Sequence, residues 1–389
     1  MTGIVRPWRI EVPDATLADL RERLKRTRFP ARIIDGGRWT YGSDPDYLRE
    51  LVDYWLNTYD WPAQQAELNH LPHFMAEVNG LDLHFVHRRG KGPAPLPLLI
   101  NHGWPGSFYE MTQVLGPLTD PAAHGGDPRD AFDVVIPSLP GYGFSQHPHK
   151  AGLNAPGISD LFATLMTETL GYSHFGVQGG DWGSVIAAAM AFAYPAHVAG
   201  LHINMLGVRP FLGEGSPPLS DNEKAFIEAA GQWRLEEAGY QEIQGTRPQT
   251  LSFGLTDSPV GLAAWIVEKF RAWSDCGGDV ERCFTKDQLL TNIMIYWISG
   301  CIGTSTQLYY EQRHNPWRLR AGERIAAPTA YAAFPGEPIF PNAPRSWLER
   351  CANVQRWTVM PRGGHFAAME EPALLVDDIR AFFRPLRQA

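Results

Sequence analysis

The segment Val177-Gln178-Gly179-Gly180-Asp181-Trp182-Gly183-Ser184 constrains this chain more than any other. Residues 174–177 before it read as a short buried strand. Residues 184–194 after it are alanine-rich and helix-forming. Gly179 and Gly183 stand two places either side of Asp181. Small residues there let a strand turn sharply into a helix and push the central side chain into a cleft. A serine at the centre would attack acyl carbon. A carboxylate attacks a saturated carbon that carries a leaving group, and forms an ester. The bare pattern also fits a glycine-rich turn in which Asp181 caps the helix, so its weight depends on the rest of the chain.

That rest alternates between strand and helix. Residues 74–78 and 81–86 flank Asn79-Gly80, a two-residue hairpin signal. Short apolar runs at 96–101 and 132–136 predict buried parallel strands. A helix follows at 158–170, then the strand of the elbow, then another strand at 198–203. The pattern resumes at 328–334 and 354–360 and closes with a helix over 372–383. Such alternation predicts an α/β fold with a mainly parallel central sheet flanked by helices. Residues 210–317 interrupt it with aromatic-rich, helical sequence. An insertion after a strand's carboxyl end falls where ligands bind in such sheets, so 210–317 is expected to form a helical lid. The core is then 74–209 with 318–389. Residues 1–73 are expected to be a helical arm packed on it, with Asp14 capping a helix over 17–24 and Asp44 or Asp46 opening another through Trp55.

A chain of 389 residues with a net charge of −8 is poorly suited to nucleic acid or an anionic membrane surface. No run approaches the roughly 18 apolar residues of a membrane span. The N-terminus is charged, contains Pro7 and Pro13, and lacks the apolar stretch of a signal peptide. Cys276, Cys283, Cys301 and Cys351 show no metal-ligand spacing. A reduced, cytoplasmic protein is expected, with neither metal nor cofactor. Only 6 of the 34 basic residues are lysine, a composition that points to a GC-rich bacterial genome.

Three further places carry chemistry. His102-Gly103-Trp104-Pro105 follows the strand ending at Asn101. In α/β hydrolases this loop supplies one oxyanion donor and the residue after the nucleophile supplies the other. The amides of Trp104 and Trp182 occupy those places. His365, in Arg362-Gly363-Gly364-His365-Phe366 after the last strand, is one of 13 histidines and stands out by position as the general base. Glu337, in Phe334-Pro335-Gly336-Glu337, ends the preceding strand and would orient the imidazole. Asp257 and Asp275 lie in the expected lid and fit that role less well. Opening an epoxide also needs a proton donor for the leaving oxygen, and Tyr240, Tyr296, Tyr309 and Tyr310 are available in the lid. Trp265, Trp273 and Trp297 could line an aromatic pocket, although core packing would use them equally well.

With these places fixed, the motifs HGWPGS (from His102), GGDWGS (from Gly179), DQLLTN (from Asp287) and GGHFAAMEEP (from Gly363) resemble the microsomal-type epoxide hydrolases. So do Leu255-Thr256-Asp257-Ser258-Pro259-Val260-Gly261-Leu262-Ala263-Ala264 and the opening Pro7-Trp8-Arg9-Ile10-Glu11-Val12-Pro13. The resemblance spans nearly the whole chain. It implies the α/β-hydrolase fold, Asp181 as nucleophile, His365 as base, Glu337 as its acid partner, and two lid tyrosines at Tyr240 and Tyr309, with Tyr310 a one-residue ambiguity. Animal members carry an N-terminal membrane anchor; this chain opens directly on the arm, and no stable membrane association is expected.

The resulting expectation is an epoxide hydrolase that converts a lipophilic or aromatic epoxide to a vicinal diol through an ester on Asp181. A haloalkane dehalogenase would use the same nucleophile, and a non-catalytic α/β-hydrolase sensor would bind without turnover. A homodimeric assembly is left open.

Overall fold

The computed structural model describes residues 3–33, 38–341 and 343–387. Nine strands form one sheet: β1 (Arg6–Pro7), β2 (His73–Val78), β3 (Leu81–Arg88), β4 (Leu96–Asn101), β5 (Phe132–Pro137), β6 (Phe175–Gly179), β7 (Val198–Ile203), β8 (Ile325–Ala333) and β9 (Ala352–Val359). Their spatial order is β1-β2-β3-β5-β4-β6-β7-β8-β9. The first four pair antiparallel, and β5 through β9 are joined by parallel ladders. This is the α/β-hydrolase fold. Strands β5, β6 and β7 are buried along their whole length, as expected where helices cover both faces. The β2–β3 turn has positive φ at both Asn79 (50°) and Gly80 (82°), the geometry that an Asn-Gly hairpin requires.

The N-terminal region is less purely helical than its sequence reads. Helices Asp14–Lys25, Pro45–Asn57 and Trp61–Leu68 are present, but Arg6–Pro7 adds an edge strand through Arg6 opposite Met75. A two-residue strand has no periodicity to detect. Buried Asp44 caps the second helix, accepting from the amides of Asp46 and Tyr47 at 2.9 and 3.0 Å. Asp14 does not cap the first: Pro13 occupies the cap, and Asp14 is the first helical residue, where it supplies only favourable charge.

Between β7 and β8 the chain runs through helices Asp221–Glu237, Gly239–Thr246, Pro248–Asp257, Pro259–Trp273, Lys286–Ser299, Ile302–Ser305 and Gln307–His314. Specific polar contacts seat this insertion. Arg350 makes a two-pronged ion pair with Glu223 at 2.7 and 2.8 Å, locking the start of the first inserted helix to the segment before β9. Arg23 and Tyr54 from the N-terminal helices reach Asp257 (2.7 Å) and Asp287 (2.9 Å). The insertion is thereby held between the sheet and the N-terminal helices.

Candidate active site

The strand–helix turn after β6 forms as its glycines require. A Cβ on Gly179 would stand 2.2 Å from the Gly183 carbonyl oxygen, and one on Gly183 would stand 2.2 Å from that of Asn101. Neither position admits a side chain. Asp181 itself sits at φ 47°, a left-handed conformation that costs a non-glycine residue energy and recurs at functional sites. It begins the helix Asp181–Ala193, whose amino end favours negative charge.

The loop after β4 faces this carboxylate. The Trp104 amide donates to Asp181 Oδ1 at 2.8 Å. Gly103 permits that approach, because a Cβ there would fall 2.2 Å from the same oxygen. His102 plays a structural part: its Nε2 accepts from the Leu139 amide at 3.1 Å, and burial lowers its pKa to about 4, keeping it neutral. The insertion fixes the far side of the loop. Asn292 donates to the Pro105 carbonyl at 2.8 Å, and the Tyr296 hydroxyl to that of Gly106 at 2.7 Å.

Glu337 and His365 leave the ends of neighbouring strands β8 and β9. Their loops are zipped together by the Gly336 amide, which donates to the Gly363 carbonyl at 2.8 Å. That contact brings His365 Nδ1 within 2.6 Å of Glu337 Oε2. The other Glu337 oxygen accepts from the Ile339 amide at 2.7 Å. His365 Nε2 lies 3.4 Å from Asp181 Oδ2. Burial disfavours the imidazolium, yet the charges of Glu337 and Asp181 outweigh it and hold the His365 pKa well above its ordinary value.

Tyr240 and Tyr309 come from different inserted helices and meet over the carboxylate. Their ring centres are 5.9 Å apart, and both rings contact Trp104, at 5.3 and 5.9 Å. Burial first, and then nearby Asp181, raise the Tyr240 pKa well above its ordinary value. For Tyr309, burial is likewise the largest cause, followed by Tyr240 and Asp181. Both hydroxyls stay protonated. Tyr310 is turned away: it is exposed, and its ring stacks on His314 at 4.0 Å. A helix sends adjacent side chains about 100° apart, so only one of the pair can face Asp181.

Two protein-family models match the chain. A model described as "Epoxide hydrolase N terminus" matches residues 5–111, and one described as "alpha/beta hydrolase fold" matches 97–372. The chain is 39% identical over 410 residues to Epoxide hydrolase 1 of Sus scrofa, covering 99% of this chain and 89% of the pig protein. The chain belongs to the epoxide hydrolase family. The structure of juvenile hormone epoxide hydrolase from the silkworm Bombyx mori superposes with a TM-score of 0.84 at 32% identity, covering 99% of this chain and 94% of that one. The Aspergillus niger epoxide hydrolase gives 0.85 at 28%, covering 98% and 96%.

Among this epoxide hydrolase's tryptophans, the structure brings only some of those expected to the site. Trp273 is fully buried, 5.0 Å from the His365 ring and 5.2 Å from the Tyr240 ring. Its carbonyl accepts from the His365 amide at 2.9 Å, tying the insertion to the histidine loop. Trp265 instead donates its indole N–H to Gln244 at 3.0 Å. Trp297 lies under the Arg23 guanidinium, 5.9 Å away, on the side of the N-terminal helices. Asp257 also faces Arg23. Asp275 accepts from the Gly363 amide at 3.0 Å and so positions the histidine loop from outside.

Sequence reasoning missed Glu110. The run Ser107-Phe108-Tyr109-Glu110 has the spacing of a helix-capping box, which gives a glutamate a bland explanation. In the folded hydrolase Glu110 is buried and shares a small cavity with Asp181 and His365. Among the described residues, no helix is long and apolar enough to cross a membrane, and no three His, Cys, Asp or Glu side chains are grouped to hold a metal ion.

Proposed function

We propose that this epoxide hydrolase opens its substrate in two steps through a covalent ester on Asp181. Asp181 Oδ1 is engaged by the Trp104 amide, which leaves Oδ2 to attack an epoxide carbon. The carbon–oxygen bond of the ring breaks, and Tyr240 or Tyr309 protonates the departing oxygen, becoming a tyrosinate. In the second step water attacks the ester carbonyl and His365 Nε2 takes a proton from it. The oxyanion forms on Oδ1 and rests on the amides of Trp104 and Trp182. Collapse expels the diol oxygen, which regains the proton from His365. The proton left on the Asp181 carboxyl returns to the tyrosinate.

The observation that carries this reading is the pair of buried tyrosines converging with Trp104 over the carboxylate. A dehalogenase has no need of two hydroxyl donors of this kind, because a halide leaves without a proton. The resting charge balance also suits the order of steps. Esterification removes the Asp181 charge, one of the influences that raise the His365 pKa, so the imidazole becomes free to act as a base once the ester exists. The insertion 210–317 acts as a lid over 74–209 and 318–389, with 1–73 packed alongside. Trp104, Trp182, Trp273 and the two tyrosines favour a lipophilic or aromatic epoxide. The four cysteines are free thiols, which fits a reducing cytoplasm.

A single turnover with enzyme in excess, run in ¹⁸O-water, tests the covalent route. First-turnover diol should be unlabelled, and label should appear in the peptide containing Asp181. Fully labelled first-turnover diol would mean that water attacks the epoxide directly.

A further inference from the structure

The cavity beside Asp181 and His365 is lined also by Glu110, Gln178, Asn204 and Gly103, and by neither lid tyrosine. Its free space of about 10 Å³ suits the centre of a single water. Three of its lining side chains have a buried polar atom with no protein hydrogen-bond partner among the described residues: His365 Nε2, Gln178 Oε1 and Trp104 Nε1. Glu110 reaches the cavity from the turn Phe108–Met111. Its carboxyl lies against Gly106, whose missing side chain makes the room: a Cβ there would stand 1.5 Å from Glu110 Oε1. Gly106 is itself held by the Tyr296 hydroxyl.

We propose that Glu110 is a positioning residue for the water that hydrolyses the Asp181 ester. The inference rests on the two-step reading above and adds to it the place from which the water comes. An attacking water must give one hydrogen to His365 Nε2 and direct the other to an acceptor, so that a lone pair points at the ester carbon. The C=O oxygen of the Glu110 side-chain carboxyl supplies that acceptor from the same cavity.

The charged groups facing Glu110 are Asp181 and His365, with the Tyr296 phenol also close. Burial is the largest influence on Glu110 and, with Asp181, pushes its pKa up to about 8 against the opposing effect of His365. At neutral pH it is a neutral acid. A neutral carboxyl can accept a hydrogen bond without repelling the oxyanion that forms nearby on Asp181. It follows that an amide should serve almost as well as the acid.

The experiment follows the two half-steps separately in the full-length protein, using styrene oxide as probe. Stopped-flow tryptophan fluorescence and intact mass give adduct formation and adduct decay. Glu110→Ala should form the adduct at the wild-type rate but release it about 10²-fold more slowly, the scale of a misplaced reactant. Glu110→Gln should restore most of the decay rate. Gly106→Ala, which displaces the carboxyl without removing it, should reproduce the slow decay and carries the test if Glu110→Ala does not fold. Normal decay in Glu110→Ala, equal losses in both half-steps, or no rescue by glutamine would overturn the proposal. A His365→Gln enzyme that never accumulates adduct would sink the ester reading instead, a result distinct from normal decay in Glu110→Ala.

Discussion

The Trp104 amide and Asp181 Oδ1, 2.8 Å apart, make the two oxygens of one carboxylate unequal. One is held by a backbone donor and the other is left facing His365 at 3.4 Å. That inequality depends on Gly103, which has no side chain to intervene. Gly103→Ala should therefore lower the rate of ester formation by about 10²-fold or more, as expected when a nucleophile is moved by an ångström. Some loss of thermal stability should accompany it, because the new Cβ would also stand 2.3 Å from Asp181 Cβ. Adduct formation at the normal rate in a folded Gly103→Ala protein would mean that the amide contact is incidental.

The tyrosine pair makes a second prediction. Tyr240→Phe and Tyr309→Phe should each slow epoxide opening, and the double variant should nearly abolish it, since one general acid is typically worth about 10²–10⁴-fold. Tyr310→Phe should be silent, because its ring is exposed against His314. A burst phase of normal rate in the double variant would refute the assignment of both hydroxyls.

His365→Gln should be alkylated and then stall, leaving a protein heavier by the mass of the epoxide. The pH dependence of the second step has a definite sign. His365 must be neutral to take a proton, so adduct decay should rise with pH through its pKa and then level off. Glu337 raises that pKa. Glu337→Gln should move the rising limb to lower pH while slowing the plateau, since the imidazole is also less well oriented. A limb displaced upward in single-turnover decay would contradict the electrostatic role given to Glu337.

The Arg350–Glu223 pair anchors the first helix of the insertion between β7 and β8. Glu223 is almost fully buried, accepts also from Ser346 at 3.1 Å, and has its pKa lowered to about 2, chiefly by Arg350. Arg350→Ala leaves a buried carboxylate unpaired and should destabilise the protein by about 3 kcal/mol. Because the folded pKa is depressed, the pair's contribution is present above the usual carboxylate value of 4.5 and fades as pH falls toward about 2. Denaturant midpoints for the parent and Arg350→Ala should converge over that window. A constant gap would place the stabilisation elsewhere.

The sequence by itself determined what depends on local rules. Gly179 and Gly183 specify a tight turn wherever they fall, so the elbow and its Asp181 were legible, as was the Asn79-Gly80 hairpin. Alternating apolar runs located the strands to within a few residues. His365 and Glu337 were legible through their places at strand ends, because parallel strands deliver their carboxyl ends to one edge of a sheet. The Tyr240 and Tyr309 assignments came from resemblance and not from any local rule. Tertiary structure decided matters that turn on side-chain direction and distant neighbours. Tyr309 and Tyr310 are chemically alike, and only the helix orientation separates them. Trp273, Trp265 and Trp297 read the same in sequence, yet they lie against His365, Gln244 and Arg23 respectively. Glu110 has the spacing of an ordinary capping residue, and its tie to Asp181 and His365 exists only because the sheet brings three separate loops to one point. A pattern along the chain records periodicity and turn chemistry; which face is inward, and against what, is set by packing that no local pattern encodes.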